Sequence, residues 1–511
     1  RNVAVGNNAL STYNVTDSGL DYNVAVGYNA CSALTTANQT VSVGAFSLSV
    51  NTTGANNTAV GYGALALNTT ASNNTGVGYL ALGANTTGEN NVATGNGPLD
   101  VNTTGSNNVA MGNNALGSNT TASNNTAVGH AALNLNTTGT KNAALGMQSL
   151  DANTTGDDNT AIGYNALTSN TTADDNTAVG KDSMLTNTTG ANNTALGSNA
   201  LQANTTGASN VALGKGSLNA NTTASSNTAV GKDALVSNTT GAQNTAVGTS
   251  AGTAVTTAVN TVAIGYQAGD AITTGNNNVV VGTTAGSAMT TGTANTALGH
   301  AALLANTTAV SNTAVGFAAL DATTTGGSNT AVGQDALGAN TTAANGTAVG
   351  DQALGANTTG AGNTAVGQGS LDANTTGVSN VAAGTNALGA NTTGGGNNAV
   401  GANALLNNTT ANNVNAMGYA ALQANTTGDD NNGFGNYALG SVTTGASNTA
   451  VGRSALYTCT TGAFNTAIGQ NSGYSLTTSS NNTFLGRDSG YNCTTGSGNV
   501  TLGKDAGAEA A

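Results

Sequence analysis

The chain has 511 residues, of which only 6% are charged and 3% aromatic, and its formal net charge is −13. This acidity excludes a nucleic-acid-binding shaft, because such binding depends on neutralising phosphates with Lys and Arg. No run of about 18 apolar residues occurs, so the sequence predicts no membrane insertion.

The first predicted element is an irregular coil over residues 1–26. A landmark glycine closes each "AVG"-like triplet, and the interval from Gly6 to Gly27 is four residues longer than the later ones. Residues 27–503 then repeat every 17 residues without insertion or deletion, and residues 504–511 form a truncated last coil. Because loops tolerate insertions, a constant repeat length indicates that each residue is in register with a neighbouring coil.

The repeat reads G-x-x-A-L-x-x-N-T-T-G-x-x-N-T-A-V, and its positions are numbered here from 0 at the landmark glycine, for example Gly61 and Gly78. A unit of this length suits one coil of a parallel β-solenoid, whose coils stack about 4.8 Å apart. We therefore predict an all-β parallel solenoid of about 30 coils. Positions 14–16 and 7–9 each predict a strand, and positions 0, 10, 12 and 13 predict turns.

Substitutions among the coils indicate which positions face inward. Position 16 is aliphatic or Phe in all but two coils, which predicts a core position. Positions 3 and 15 are almost always small, which predicts close approach of the opposite wall or of a second chain. Position 1 accepts Tyr, His, Lys, Arg and Asp, which is typical of an exposed corner.

Position 7 is Asn in 19 of 28 coils and apolar in eight of the other nine. A site that changes to Val, Ile, Met and Leu points inward. These asparagines are therefore predicted to stack as a hydrogen-bonded ladder in the core, which satisfies their buried amides. The first members of the predicted ladder are Asn51, Asn68, Asn85, Asn102 and Asn119.

Position 4 is usually Leu, as at Leu65 and Leu82, but it is Gly in five coils that all have an apolar residue at position 7. Leu at position 4 with Asn at position 7 fills nearly the same interior volume as Gly at position 4 with an aliphatic residue at position 7. Positions 4 and 7 are therefore predicted to be in contact.

The triplet Asn68-Thr69-Thr70 matches the N-glycan acceptor pattern, and similar triplets recur along the chain. If position 7 faces inward, that match is a by-product of the ladder. Asn56 and Asn73, at the outer position 12, remain possible glycan acceptors.

The sequence predicts no catalytic, metal or cofactor site, and we expect no enzymatic activity. His130 and His300 are both at the exposed position 1, and the three cysteines occupy positions 4 and 7. The acidic pairs in the turns lack the nonapeptide pattern of calcium-binding β-rolls.

The motif "NTAVGxxAL", followed by "NTTG", resembles the head repeats of trimeric autotransporter adhesins and the repeat shafts of phage tail-fibre-like proteins. The resemblance covers essentially the whole chain, although the 17-residue unit is longer than the usual adhesin head unit. It implies a left-handed parallel β-roll that assembles as a homotrimer on a virion or cell surface.

These features favour a non-enzymatic rod or fibre that spaces or presents an adhesive tip and contacts a surface receptor or glycan. One alternative is a single-chain solenoid that polymerises end to end into an extracellular filament, which could be glycosylated. A second is an ice-binding surface built from threonine columns. It is disfavoured because the adjacent threonines at positions 8 and 9 are expected to face opposite ways.

Overall fold

The computed structural model describes residues 1–14 and 21–507 of the chain. These residues form two compact units, Arg1–Thr257 and Ala258–Ala511. Each unit is a parallel β-solenoid with one three-residue strand per coil, and the described residues contain no helix. Consequently no described segment is a helix that could cross a membrane. The predicted insertion in the first coil lies partly in residues 15–20, and the predicted last coil ends in 508–511, outside the described residues.

The first unit contains fifteen described strands. They are β1 Val3–Val5, β2 Val24–Val26, β3 Val41–Val43, β4 Thr58–Val60, β5 Thr75–Val77, β6 Val92–Thr94, β7 Val109–Met111, β8 Thr126–Val128, β9 Ala143–Leu145, β10 Thr160–Ile162, β11 Thr177–Val179, β12 Thr194–Leu196, β13 Val211–Leu213, β14 Thr228–Val230 and β15 Thr245–Val247.

The second unit also contains fifteen described strands. They are β16 Val262–Ile264, β17 Val279–Val281, β18 Thr296–Leu298, β19 Thr313–Val315, β20 Thr330–Val332, β21 Thr347–Val349, β22 Thr364–Val366, β23 Val381–Ala383, β24 Asn398–Val400, β25 Asn415–Met417, β26 Asn432–Phe434, β27 Thr449–Val451, β28 Thr466–Ile468, β29 Thr483–Leu485 and β30 Val500–Leu502.

Within each unit, every strand pairs in parallel with the strand one coil further along the chain. The register joins equivalent repeat positions, as in Thr58 with Thr75 and Val60 with Val77. Each coil therefore stacks on a near-copy of itself, which confirms the predicted solenoid and accounts for the constant coil length over residues 27–503.

The second predicted strand, at positions 7–9, is wrong: these residues form a bend in the coils. Its backbone bonds to the next coil mainly through position 8, where Thr52 N–H donates to Thr69 O at 2.8 Å. In several coils position 9 shares that same acceptor, as Thr86 and Thr87 both donate to Thr103 O. Because two N–H groups share one carbonyl oxygen, the regular hydrogen-bond pattern of paired strands is absent, and the segment is not a strand.

The landmark glycine is required for two reasons that act together. Gly61 has φ +133°, a backbone conformation that L side chains rarely adopt. A Cβ built on Gly61 would also lie 2.7 Å from the carbonyl carbon of Gly78 in the next coil. The stacked backbones are therefore too close at this position for any side chain.

The leucine at position 4 also has positive φ, for example +53° at Leu65 and +55° at Leu82. This left-handed conformation is unfavourable for Leu, by roughly 1–3 kcal/mol. Both side chains are fully buried, and burying a leucine contributes a stabilisation of about 1.5–3 kcal/mol. Burial therefore offsets the backbone strain that each coil carries at this turn.

The prediction that position 16 faces the core is wrong. The middle residue of each strand, position 15, is buried in β2–β29, whereas the third residue, position 16, is not buried in any described strand. Leu145 is 49% exposed and Met111 is 43% exposed. Three-residue strands alternate faces, so the small residue faces inward and the aliphatic residue faces outward.

The small residues at positions 15 and 3 contact each other across the interior. Ser42 Oγ donates to Ser47 O at 2.9 Å, and a Cβ on Gly76 would lie 2.9 Å from Ala81 O. Of the two explanations considered for these small residues, the structure therefore supports the opposite wall of a thin roll. They are buried within one chain and are not available to a second.

We predict that Gly333→Ala destabilises the second unit, whereas Gly338→Ala in the same coil changes its stability little. Gly333 has φ +140°, and its added Cβ would overlap the carbonyl oxygen of Gly350. Gly338 is not in the positive-φ region, and its nearest neighbour would be 3.2 Å away. Urea unfolding should show a loss for Gly333→Ala of at least about 1–3 kcal/mol. Equal losses in the two variants would contradict this explanation of the landmark glycine.

Candidate functional site

The asparagines at position 7 form a buried ladder. Asn68 Nδ2 donates to Asn51 Oδ1 at 3.0 Å and to Ala71 O at 2.9 Å. Asn85 Nδ2 in turn donates to Asn68 Oδ1 at 2.9 Å. An amide nitrogen has two hydrogens, so one bonds within its own coil and the other bonds to the preceding coil.

Asn102 and Asn119 continue the same ladder, with Nδ2–Oδ1 distances of 2.9 Å. All five predicted asparagines and both predicted leucines, Leu65 and Leu82, are fully buried. The sequon at Asn68 therefore lies in the interior, where its amide nitrogen is already committed to two acceptors.

The ladder runs in one direction, so it leaves unpaired atoms where it stops. The first run extends from Asn51 to Asn238, and the next coil has Val255 at position 7. Asn238 Oδ1 is buried without a partner. At the start of the second run, Asn306 has its amide reversed, with Oδ1 accepting from Ala309 N–H and Nδ2 buried without a partner. Each such unpaired atom costs roughly 1–3 kcal/mol.

Positions 4 and 7 are in contact, as predicted. A Cβ on Gly252 would lie 3.4 Å from Val255 Cγ2, and a Cβ on Gly269 would lie 2.7 Å from Ile272 Cδ1. Position 15 shares the same space, because a Cβ on Gly473 would lie 2.6 Å from the ring of the buried Phe484. Glycine at position 4 therefore makes room for a larger residue at position 7 or 15.

A second buried ladder at position 13 was not predicted from the sequence, which assigned this position to a turn. Asn74 N–H donates to Asn57 Oδ1 at 2.9 Å, and Asn57 Nδ2 donates to Ala71 O at 2.8 Å. Position 13 is Asn in 24 of 28 coils, more often than position 7. Its exceptions are Thr40, Thr261, Gly346 and Val414, and none of them is charged. That pattern of substitution is the signal that could have identified the second ladder.

The two threonines of each coil have different environments. At position 8 the hydroxyl is partly buried and bonds to the next coil, as Thr69 Oγ1 does to Thr86 O at 3.1 Å. At position 9 the side chain is exposed, as at Thr70. Only one of the two threonine columns is therefore open to solvent.

The possible glycan acceptors Asn56 and Asn73 are exposed at position 12, with φ +58° and +62°. Asn56 Nδ2 donates to Asn73 Oδ1 at 3.2 Å. Their side chains can be reached from solvent, unlike that of Asn68. Glycosylation at these two residues remains a prediction.

The titratable groups do not gather into a reactive centre in the described residues. No cluster of three or more His, Cys, Asp or Glu side chains there could hold a metal ion. Cys31 and Cys459 are buried free thiols, and burial raises the pKa of Cys459 to about 11. Desolvation likewise raises the pKa of half-buried carboxyls at position 5, such as Asp151 and Asp321.

Ladder continuity can be tested by deleting one amide. In Asn136→Ala, Asn119 Oδ1 and Asn153 Nδ2 lose their partners. We expect a loss of about 2–4 kcal/mol in the unfolding free energy, from unpaired polar atoms and a cavity. Thr138→Ala, at the exposed position 9 of the same coil, is the control for urea denaturation. A loss no larger than the control's would contradict a stabilising ladder.

Repairing the ladder should have the opposite effect. Thr323 interrupts the second run between Asn306 and Asn340. In Thr323→Asn the new amide can bond to both neighbours, which gives Asn306 the standard arrangement. We expect the melting temperature to rise, with a gain of about 1 kcal/mol. Thr325→Asn, on the surface of the same coil, should leave it unchanged. Destabilisation by Thr323→Asn would show that this buried site has no room for the amide.

Comparison with known proteins does not assign this chain to a family. The chain matches no protein-family model and no curated protein sequence. The likeness to adhesin heads and tail-fibre shafts therefore remains a likeness of sequence motifs.

Proposed function

We propose that this chain is a non-enzymatic structural segment of an extracellular fibre, whose copies associate side by side through the outer face of the strands. The observation that carries this proposal is the composition of that face. It consists of the first and third residues of each strand, repeat positions 14 and 16, and none of these residues is charged in the thirty described strands.

Position 16 forms an apolar column along each unit, interrupted by Thr94, whereas position 14 is Thr in sixteen described strands and Asn in three. Exposed members of the column in the first unit include Leu145, Ile162 and Leu196, at 49%, 39% and 45%. Fifteen coils about 4.8 Å apart, with strands about 10 Å long, give an uncharged face on the order of 700 Å², of which the column at position 16 contributes about half. The column at position 16 alone therefore reaches the few hundred Å² that a contiguous apolar patch on a soluble monomer rarely exceeds. A stable interface buries roughly 800 Å² on each partner.

A second copy of the chain is the partner that fits this face best. Its own strands have the same coil spacing, so the aliphatic residues of two copies can remain in step over many coils. No side chain of the described strands is charged, so no charge would have to be desolvated when two such faces meet. The self-association surface is therefore proposed at positions 14 and 16.

The resemblance to adhesin heads and tail-fibre shafts makes a homotrimer on a virion or cell surface the preferred form of this assembly, with left-handed coils. The end-to-end filament remains the runner-up. It would leave the outer sheet face exposed to water, which the aliphatic column at position 16 disfavours.

Charge placed on the face should separate the copies. We expect the wild-type chain to sediment at a multiple of its 48.8 kDa mass, three-fold for a trimer. The double variant Leu145→Lys/Ile162→Lys should shift it toward the monomer. Thr138→Lys/Thr155→Lys carries the same added charge on the exposed position 9 of the same two coils, and it should not. Sedimentation velocity distinguishes these outcomes.

A wild-type monomer at micromolar concentration would overturn the proposal. If that monomer also produced thermal hysteresis, and Leu145→Lys/Ile162→Lys abolished it, the face would be an ice-binding surface. Fibrils of indefinite length in electron micrographs, unaffected by this variant, would instead favour end-to-end polymerisation.

A further inference from the structure

The second unit carries a row of tyrosines on the corner formed by repeat positions 1, 2 and 5. The second-unit tyrosine row consists of Tyr419, Tyr437, Tyr457, Tyr474 and Tyr491, one from each of five successive coils. Neighbouring ring centroids lie 5.4, 6.1, 5.4 and 5.1 Å apart. These distances are close to the coil spacing of about 4.8 Å, so the row follows the stacking direction of the coils.

The rings of the row are arranged in two ways. Tyr437 is nearly perpendicular to both of its neighbours, at 80° and 86°. Tyr457, Tyr474 and Tyr491 are stacked nearly parallel, at 20° and 8°. Tyr419 and Tyr437 are 46% and 39% exposed. The row therefore presents one end of well-exposed rings that continues into a column of stacked ones.

Exposed polar side chains accompany the row at position 1. Asn436, Arg453 and Gln470 occupy this position in three successive coils, and all three are exposed. Two amides and one guanidinium therefore lie on the same corner as the rings. This combination of an amphipathic aromatic surface with planar hydrogen-bonding groups is typical of recognition surfaces.

Arg453 differs from most other cations at position 1. Lys181, Lys232 and Arg487 each pair with the Asp that follows them, at 3.3, 3.5 and 2.8 Å. Arg453 is followed by Ser454, and no ion pair involves it within the described residues. In a chain with a net charge of −13, Arg453 thus provides a guanidinium without an ion pair beside the tyrosine row.

We propose that the second-unit tyrosine row binds a linear polysaccharide that carries carboxylate groups. A ring in every coil gives a periodic platform, which suits a polymer of repeating rings better than a compact ligand. Tyrosine rings cover the apolar C–H faces of sugars while their hydroxyls remain hydrated, and the amides of Asn436 and Gln470 bond to sugar hydroxyls. Arg453 forms a bidentate pair with a carboxylate.

This inference goes beyond the structural role, because the row lies on position 1, 2 and 5 side chains and not on the outer sheet face. Its test therefore uses the full chain, and sedimentation is run on the same samples. If the wild-type chain binds the polysaccharide but sediments as a monomer, the fibre proposal fails and the tyrosine-row proposal stands. If it self-associates but does not bind the polysaccharide, the tyrosine-row proposal fails and the fibre proposal stands.

The measurement is affinity electrophoresis in gels containing polygalacturonate, with dextran and polyaspartate as probes for sugar without charge and charge without sugar. We expect retardation by polygalacturonate only. Arg453→Gln should weaken binding roughly tenfold or more, the equivalent of one charge-assisted hydrogen bond. Tyr437→Ala/Tyr474→Ala should abolish it, with the melting temperature recorded to confirm folding.

Two matched controls isolate the row. Lys215→Gln removes another position 1 cation for which no ion pair is described, but outside the row, and Tyr266→Ala removes a 54% exposed tyrosine at position 1, also outside the row. Neither should change binding. The proposal is overturned if polygalacturonate does not retard the wild-type chain, if polyaspartate retards it equally, or if the controls lose as much affinity as Arg453→Gln. Binding to a purified protein but to no polysaccharide would likewise reassign the surface.

Discussion

Each landmark glycine lies against the backbone of the glycine one coil further on, so closely that a Cβ on Gly61 would overlap Gly78. This contact sets the distance between coils at the corner formed by the landmark glycine. The in-register pairing of the strands holds the same distance along the adjacent wall. The coil that begins at Gly6 has four extra residues and still makes both contacts. Residues between these two contacts also bond to their equivalents one coil further on, which an inserted residue would disturb. The constant 17-residue length is therefore a consequence of stacking, and every other column of side chains in a unit depends on it.

Stacking at fixed register turns each repeat position into a column, and the interior columns are polar to an unusual degree. Two of them are asparagines, at positions 7 and 13, and their amides bond to the coil on either side. Buried amides are tolerable only when nearly all their hydrogen bonds are made. Asn238 Oδ1 is unpaired because no position 7 amide follows it, and Asn306 Nδ2 is unpaired because its amide is reversed at the start of a run. Where the first run stops, Gly252 at position 4 and Val255 at position 7 fill the space.

Stacking at fixed register also turns the exterior positions into columns, which form surfaces instead of ladders. A side chain at position 16 or 1 also recurs in every coil, so any property it has is multiplied along the unit. Aliphatic residues at position 16 become an extended apolar face, and neighbouring tyrosines become a row of rings in contact. Single exposed residues of these kinds would need no explanation on an ordinary protein surface. Repetition is what makes them candidates for binding.

The sequence alone determined the solenoid, its coil length, the inward-facing asparagines at position 7 and their contact with position 4, because the internal repeats show which substitutions each position accepts. It did not determine which residue of Thr58-Ala59-Val60 faces the core. Aliphatic residues usually lie inside, yet Ala59 is buried while Val60 is partly exposed. The tertiary structure decided this, because Leu65 and the asparagine ladders already fill a thin interior, and only a small side chain fits against the opposite wall.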